Sequence, residues 1–330
     1  MNLFYPSHDI ALGNGIRHFN PPKAAQMLQE DLAWLEGIFA DQHSQPWGWN
    51  WDTREYLARE RHIDRTQLPD DAQLEALRML SNRRTMIELL QAIDYKAPMP
   101  QYLSTIQEVD NYIQQADESG LPFVLKTPWS SSGRGLIRSS QTPRPIMRQR
   151  ALATIRKMGG IMAERWMPKL QDFALLYWVG HDKVTSIGYS LFDNDSNGTY
   201  RQGYLLSNEA IEKRICAPFP SANNTSSTGS LSIEQLHQIR DQISETLTRM
   251  LRPYFGLPWQ VGYLGIDLMT LHDCEWTWAC CEMNLRCTMG IVARLWADRN
   301  LSNGSEGRFM ISPMGNDGHF EAKFLIDKEH

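Results

Sequence analysis

The sequence lacks any segment that would carry it into or across a membrane. No run of about 18 apolar residues occurs in the 330-residue chain, and its start shows no charged region followed by an apolar one. We therefore expect a protein without a membrane span or secretion signal, located in the cytoplasm.

Cysteine and basic charge are also in short supply. Five cysteines, an odd number in a chain of this length, do not make a disulfide framework. The 33 Lys and Arg residues are outnumbered by 38 Asp and Glu residues, for a net charge of −5. This balance leaves no basic footprint for nucleic acid or an anionic membrane surface, so the expected partners are small molecules.

The length of the chain favours two or three packed subdomains rather than one core. Its first apolar stretch, residues 2–5, predicts a strand, and a loop rich in turn-forming and polar residues follows. Loops after a first strand commonly bind ligands in α/β proteins. His8, Asp9 and Asn14 are therefore candidate substrate contacts, although Asp9 and Asn14 are equally suited to shaping turns.

A short apolar strand at 123–125 carries Lys126 at its end and runs into a glycine- and serine-rich loop. Small side chains allow backbone N–H groups to approach an anion closely, and the ammonium group of Lys126 can reach the same anion. A hairpin turn with a surface lysine explains the stretch equally well by itself. Upstream, Arg83 and Arg84 lie within a helical pattern, where they face either a ligand or solvent.

A predicted hairpin near the end of the chain carries the clearest polar pattern. Strand alternation puts Glu282, Asn284 and Arg286 on one side, with Asp267 opposite them on the preceding strand. Two carboxylates and a carboxamide are hard oxygen ligands, as Mg²⁺ prefers, and Arg286 is placed to clamp a phosphoryl group or a carboxylate. A surface ribbon with a solvated polar face remains the alternative.

The order of these parts resembles the ATP-grasp superfamily, which includes carboxylate-amine ligases. Strand lysine and Gly-Ser loop come first, then a strand with Glu164 followed by Asp172, then the Asp267 strand and the Glu-x-Asn strand. The resemblance implies an α/β protein, α+β in its catalytic part, in which two α+β subdomains grip ATP. It implies a small Rossmann-like domain at residues 1–80, a lysine and glycine-loop subdomain at 81–162, and a C-terminal subdomain with hinge and metal site at 163–330.

The resemblance also assigns roles to individual residues. It implies Mg²⁺ or Mn²⁺ on Asp267, Glu282 and Asn284, with Arg286 and Arg201 at the reacting groups. Arg83 stands where many members have a second phosphate-binding lysine, so the local geometry there is an open question. The implied ATP contacts are Arg83, Lys126, Ser131, Ser132, Gly133, Gly135, Glu164, Arg165, Met167 and Asp172.

The activity that the resemblance implies is an ATP-dependent ligation. A small-molecule carboxylate would be activated as an acyl-phosphate and joined to an amine or similar nucleophile, with residues 130–135 and 220–230 as lids that exclude water. The alternatives are phosphate transfer to a small molecule without ligation, as in a kinase, and ATP binding without catalysis. A homodimer is the usual expectation for such a soluble enzyme.

Overall fold

The computed structural model describes residues 3–40, 45–130, 135–195, 198–218, 230–302, 304–315 and 317–327. Its described residues before Gln101 form helices only, joined by loops and short 3₁₀ turns. These helices are α1 (His8–Asn14), α2 (Lys23–Asp31), α3 (Glu36–Phe39), α4 (Trp51–Glu60), α5 (Asp71–Leu80) and α6 (Thr85–Gln91).

The predicted first strand is wrong for Leu3, Phe4 and Tyr5, the part of it that the structure describes. All three side chains are fully buried in the main core, where Phe4 packs edge-on against Trp47. Their backbone joins no ladder, although the Leu3 carbonyl accepts a hydrogen bond from the Trp47 amide at 2.9 Å. The expected Rossmann-like unit is therefore wrong as well, since no described residue before Gln101 lies in a strand.

The smaller sheet has four antiparallel strands in the order β1-β4-β2-β3. Two helices, α7 (Ile106–Glu118) and α8 (Arg144–Met158), share a core with one face of it. Phe123 and Leu125 belong to that core, so alternation along the strand sends Lys126 to the opposite face. The strands are β1 (Gln101–Leu103), β2 (Phe123–Lys126), β3 (Leu136–Arg138) and β4 (Ile161–Arg165).

The larger sheet has seven antiparallel strands in the order β11-β10-β7-β6-β5-β8-β9. Its central strand β6 contacts the helices α9 (Asn208–Ile215), α10 (Ile233–Met250) and α11 (Met289–Asn300). The strands are β5 (Lys169–Val179), β6 (Val184–Asn194), β7 (Tyr200–Leu205), β8 (Gly262–Leu271), β9 (Trp278–Asn284), β10 (Gly307–Met314) and β11 (His319–Ile326).

Helix α10 shows why the sequence pattern was a reliable guide here. Ser232 accepts a hydrogen bond from the Gln235 amide while the Gln235 side chain accepts one from Ser232, which closes a capping box at the helix start. Leu236, Ile239 and Ile243 recur at helical spacing and are buried in the main core. The helix predicted from residue 233 onward is confirmed.

The two sheets are joined by three residues, 166–168, between the end of β4 and the start of β5. The α+β class with two sheets is confirmed, while the expected boundaries at residues 80 and 162 stay a prediction. No described helix is both long and apolar enough to span a bilayer.

Candidate active site

A cavity of about 270 Å³ lies between the two sheets, and seven of the predicted site residues line it: Arg83, Lys126, Asp172, Asp267, Glu282, Asn284 and Arg286. The smaller sheet contributes Lys126 and Leu136, and the start of α11 contributes Thr288, Met289 and Gly290. The larger sheet and its flanking residues contribute Asp172, Ala174, Ser190, Phe192, Asn194, Gly198, Tyr200, Asp267, Cys281, Glu282, Asn284 and Arg286. We call this space the cleft.

Lys126 lies in the cleft as an ion pair with Glu164. Its Nζ is 2.5 Å from the Glu164 carboxylate, and both side chains are largely buried. Burial by itself lowers the pKa of Lys126, but the charge and hydrogen bond of Glu164, together with Cys281, outweigh this effect and the net pKa is raised. The lysine is therefore fully charged at neutral pH. Its Nζ also points across the cleft to the Cys281 carbonyl, 3.5 Å away, on the strand that carries Glu282.

Arg83 joins both sides of the cleft from the loop between α5 and α6. Its Nη1 donates to the Thr127 carbonyl at 2.6 Å and to the Ser130 hydroxyl at 2.9 Å, at the base of the Gly-Ser loop. Its Nη2 donates to Glu282 at 2.7 Å. Burial lowers the pKa of Arg83, and the charge and hydrogen bond of Glu282, together with the charges of Glu164 and Asp9, more than compensate, so the pKa is raised. Of the two adjacent arginines, Arg83 is thus the one that faces the site.

Asp267, Glu282 and Asn284 converge on one face of the β8–β9 pair, as predicted. Asp267 is directly opposite Glu282 in the ladder, and Asn284 donates through Nδ2 to the Asp267 carboxylate at 3.0 Å. Burial, together with the Glu282 charge, raises the pKa of Asp267 to about 7. Two carboxylates and a carboxamide in such surroundings form a donor set that a divalent cation would stabilise.

This donor set suits a cation that keeps other ligands of its own. Among the described residues, no group of three or more His, Cys, Asp and Glu side chains is arranged to hold a metal. Mg²⁺ takes only one or two carboxylates from a protein and completes its shell with water and phosphate oxygens. The residues therefore fit Mg²⁺ shared with a phosphate ligand better than a closed structural site.

Arg286 is held by the N-terminal helix. Its Nε donates to the Asp9 carboxylate at 2.7 Å, and its Nη2 lies 2.6 Å from the same oxygen and donates to Asn284 Oδ1 at 3.1 Å. Burial raises the pKa of Asp9, but the charge and hydrogen bonding of Arg286, with smaller effects of His8 and Arg83, together outweigh burial and the net pKa is lowered. Asp9 is thus connected to the cleft through its contact with Arg286. The loop predicted for residues 8–14 is wrong, because these residues form helix α1.

His8 precedes Asp9 on α1 and is also buried. Its Nδ1 lies 3.2 Å from the Asn50 side-chain nitrogen, so the ring accepts this bond when neutral. Burial lowers the pKa of His8 to about 4. Gly48 packs so closely that a Cβ there would lie 2.7 Å from the His8 ring and 2.8 Å from Arg286 Cβ. His8 is therefore neutral at pH 7, and Gly48 packs against both His8 and Arg286.

The predicted hinge coincides with the passage between the sheets. Arg165 is the last residue of β4 and its guanidinium lies 5.1 Å from the Trp276 ring centre. Met167 is buried with Ala97 and Leu271 in a small separate core. Asp172 lines the cleft and accepts hydrogen bonds from Lys169 at 2.5 Å and Asn194 at 3.1 Å.

Arg201 and Asn14 are among the predicted residues that do not line the cleft. Arg201 is exposed at an irregular position of the β6–β7 ladder, while its neighbour Tyr200 lines the cavity. Asn14 is the last residue of α1 and is not among the described residues that line the cleft. Both residues were predicted because they lie near other candidate residues in the sequence, and such proximity does not determine where a side chain points.

The glycine-serine loop is only partly described. Ser131, Ser132 and Gly133 lie outside the described residues, as do residues 220–229 of the second expected lid. Gly135 is described and has φ +81°, a left-handed conformation that favours glycine. A Cβ at this position would also lie 2.5 Å from the Thr127 hydroxyl oxygen, so only glycine fits.

Sequence reasoning missed three parts of the cleft wall. The start of α11 is capped by Thr288, whose hydroxyl accepts from the Ile291 amide, a signal that the sequence does contain. Ser190 packs against Gly290, where a Cβ would lie 2.5 Å from its hydroxyl oxygen. Trp47 Nε1 and the Tyr200 hydroxyl are buried at the cleft without a hydrogen-bond partner among the described residues.

Comparison with known proteins gave matches among solved structures alone. No protein-family model and no curated protein matches the chain. N5-carboxyaminoimidazole synthetase from Staphylococcus aureus, complexed with ADP, is 14% identical over 73% of this chain and 58% of its own, with a TM-score of 0.45. N5-carboxyaminoimidazole ribonucleotide synthetase from Thermus thermophilus is 16% identical over 79% of this chain and 63% of its own, with a TM-score of 0.43.

A third match is phosphoribosylamine–glycine ligase from Thermotoga maritima, 11% identical over 74% of this chain and 62% of its own, with a TM-score of 0.48. The chain spans about three fifths of the length of these solved structures. At such identities and TM-scores, the matches carry no argument about activity, which has to come from the residues of the site.

Two α+β units face each other across a cleft, with a strand lysine on the smaller sheet and an Asp, Glu and Asn set on the larger one. This is the arrangement that the order of motifs in the sequence implied.

Proposed function

We propose that the protein is an ATP- and Mg²⁺-dependent ligase of the ATP-grasp superfamily, acting on a small-molecule carboxylate and an amine or similar nucleophile. One observation carries the proposal. Lys126 on the smaller sheet lies in the same cavity as Asp267, Glu282 and Asn284 on the larger sheet. A cation site opposite a buried ammonium group suits the phosphates of Mg-ATP, since both kinds of charge attract them.

In this proposal the nucleotide lies between the two sheets. Lys126 and Arg83 hold phosphate oxygens, and both are fully charged at neutral pH. The residues from Glu164 to Met167, at the passage between the sheets, receive the adenine, and Asp172 binds the ribose. Mn²⁺ or Mg²⁺ on Asp267, Glu282 and Asn284 would offset the charge that develops on the transferred phosphoryl group.

Binding of phosphate requires a rearrangement of ion pairs. Arg83 is paired with Glu282, and Lys126 is paired with Glu164. A nucleotide phosphate can replace each carboxylate as the partner of its cation, which frees Glu282 for a metal ion. The pairs thus keep the charges of the cleft compensated while no ligand is bound, because unpaired buried charges are costly.

Arg286 has less capacity for a ligand than the sequence suggested. Its Nε and Nη2 are taken by Asp9 and Asn284, and its Nη1 donates to the Cys287 carbonyl at 2.9 Å. One of its five N–H groups is left for a substrate. We propose that Arg286 orients the Asn284 carboxamide and offers this one donor to the reacting carboxylate.

The chemistry then follows from positioning and charge. A carboxylate oxygen of the substrate attacks the γ-phosphorus, ADP leaves, and the nucleophile displaces phosphate from the acyl carbon while losing a proton. Lys126 and Arg83 stabilise the phosphoryl oxygens, since preorganised cations in a partly buried site lower the barrier. The segments at 130–135 and 220–230 are the proposed lids.

The test is a screen for ADP release over pairs of carboxylates and amines with the wild-type protein and Asn284→Ala. We expect release that depends on both substrates and is abolished in the variant, while Asn111→Ala, an exposed change on α7, keeps full turnover. Undiminished turnover of Asn284→Ala contradicts the proposal.

Two outcomes of this screen point to the alternatives. A stable phosphorylated product, identified by mass spectrometry, indicates a kinase instead of a ligase. No turnover across the screen, combined with a higher melting temperature in Mg-ATP, indicates a nucleotide-binding module.

A further inference from the structure

A second cavity, of about 530 Å³, lies at the N-terminal end of α5. Four arginines line it: Arg17, Arg54, Arg59 and Arg65. None of the described residues that line it also lines the cleft. We call it the basic pocket, and it is a separate feature of the helical N-terminal region.

The arginines reach the basic pocket from three segments. Arg54 and Arg59 lie on α4, Arg65 lies in a 3₁₀ turn after it, and Arg17 follows α1. The neighbouring His18 has φ +62°, an uncommon conformation for a residue with a side chain. The amides of His18 and Phe19 donate to the buried Asp52 carboxylate at 3.0 and 3.2 Å, which fixes this turn.

The carboxylates of the basic pocket are already occupied. Glu55 accepts two hydrogen bonds from Arg65, at 3.0 and 2.6 Å. Asp71 pairs with Arg54 at 2.8 Å and with Arg17. Asp70 accepts from the Gln73 amide and caps α5. Hydrogen bonding to Arg65 and Arg54 respectively lowers the pKa of Glu55 and of Asp71, so both are ionised at neutral pH.

Positive charge and donors are nevertheless in excess. Four guanidinium groups face three carboxylates, one of which is committed to a helix cap. Each guanidinium carries five N–H donors, far more than two shared carboxylates can accept. Arg54 is 8% exposed, and its Nε has no hydrogen-bond partner among the described residues. This local excess stands out in a chain with a net charge of −5.

We infer that the basic pocket binds a small multivalent oxyanion, with phosphate or carboxylate groups held by the forks of Arg17, Arg59 and Arg65. These three side chains are more than half exposed and can reorient toward a ligand. Arg54 is largely buried and forms the bottom of the basic pocket. Guanidinium forks match the oxygen pairs of phosphates and carboxylates, and the cavity has room for a ligand with two or three such groups.

The test is titration calorimetry with inorganic pyrophosphate and, separately, citrate. Two variants distinguish binding at the basic pocket from binding at the cleft. Arg59→Gln/Arg65→Gln removes two guanidinium groups from the basic pocket, and Lys126→Met removes the ammonium group from the cleft. Arg144→Gln/Arg148→Gln, two exposed arginines on α8 that also pair with carboxylates, is the matched control.

We expect wild-type protein to bind at least one of the two probes, more weakly as salt is raised. The Arg59→Gln/Arg65→Gln protein should lose at least tenfold in affinity, while Lys126→Met and the α8 control keep the wild-type value. A preference for pyrophosphate assigns phosphate groups to the ligand, and a preference for citrate assigns carboxylates. Absence of binding by both probes at millimolar concentration overturns the inference, as does binding that Arg59→Gln/Arg65→Gln leaves unchanged or Lys126→Met removes.

Discussion

One carboxylate oxygen of Asp9 contacts both Nε and Nη2 of Arg286, at 2.7 and 2.6 Å. The two residues are 277 positions apart, and both side chains are nearly buried. The pair joins α1 to the chain just after β9, and Arg286 also donates a hydrogen bond to Asn284. The N-terminal helices are thus part of the cleft wall.

The first prediction concerns this pair. Asp9→Ala leaves the guanidinium of Arg286 buried without its counter-charge, so we expect a loss of about 3 kcal/mol in the free energy of unfolding, measured by urea denaturation. Asp241→Ala is the control, since that aspartate is exposed beside Arg240 and its loss should cost less than about 1 kcal/mol. Equal losses in the two variants would show that the Asp9 pair has no special weight.

The second prediction concerns Gly13, one helical turn after Asp9 on α1. A Cβ at this position would lie 2.5 Å from Trp129 Cβ, a backbone-near atom that cannot move aside easily. Gly13→Ala should therefore lower stability by about 1–3 kcal/mol, despite the better helix propensity of alanine. Because Trp129 precedes the Gly-Ser loop, Mg-ATP should also bind more weakly.

The matched control for Gly13 is Gly37→Ala on α3, where a Cβ would meet nothing within 4 Å. It should leave stability unchanged or raise it slightly, and leave nucleotide affinity at the wild-type value. Thermal melting and calorimetry with Mg-ATP check both. A Gly13→Ala protein as stable as the Gly37→Ala protein would mean that Trp129 does not anchor the loop.

The third prediction is a dependence of stability on pH through His8. Its pKa is lowered from 6.5 to about 4 by burial. Between these two pH values the unfolded chain therefore binds a proton on His8 and the folded chain does not. Stability should fall as the pH drops from 6.5 to 4, by roughly 3 kcal/mol from this group. Urea denaturation at several pH values should show a smaller slope for His8→Gln, and an identical slope would exclude His8 as the source.

The fourth prediction concerns Lys126. Lys126→Met keeps most of the side-chain volume and removes the charge, so Mg-ATP should bind about 10–100-fold more weakly, the cost of roughly 1.5–3 kcal/mol for a hydrogen bond to a charged group. Calorimetry gives the affinity, with Lys157→Met, an exposed lysine on α8, as the control. Nucleotide affinity that survives the loss of Lys126 would remove this lysine from the site.

The polar face of the β8–β9 hairpin could be predicted from the sequence because it depends on local geometry. Successive strand residues alternate faces, and a short turn returns the chain beside itself, so Asp267, Glu282 and Asn284 had to meet once both strands formed. Helix α10 is a similar case, since its capping box and apolar spacing both lie within the segment.

The first apolar stretch and Arg201 show the limits of such reasoning. Leu3, Phe4 and Tyr5 have the composition of a strand, but a strand also needs a partner, and helices surround these residues instead. Arg201 lies at an irregularity of the β6–β7 ladder, which a sequence pattern does not reveal, and its side chain is exposed.

The sequence by itself therefore determined the α+β class, the order of Lys126, Glu164 and the Asp, Glu and Asn set, and the shared face of that set, because strand and helix periodicities act over a few residues. Only the tertiary structure decided that Arg83 pairs with Glu282, 199 positions away, that Asp9 pairs with Arg286, and that four arginines line one pocket. Those contacts join separate segments, and their partners are set by how the helices pack against the two sheets.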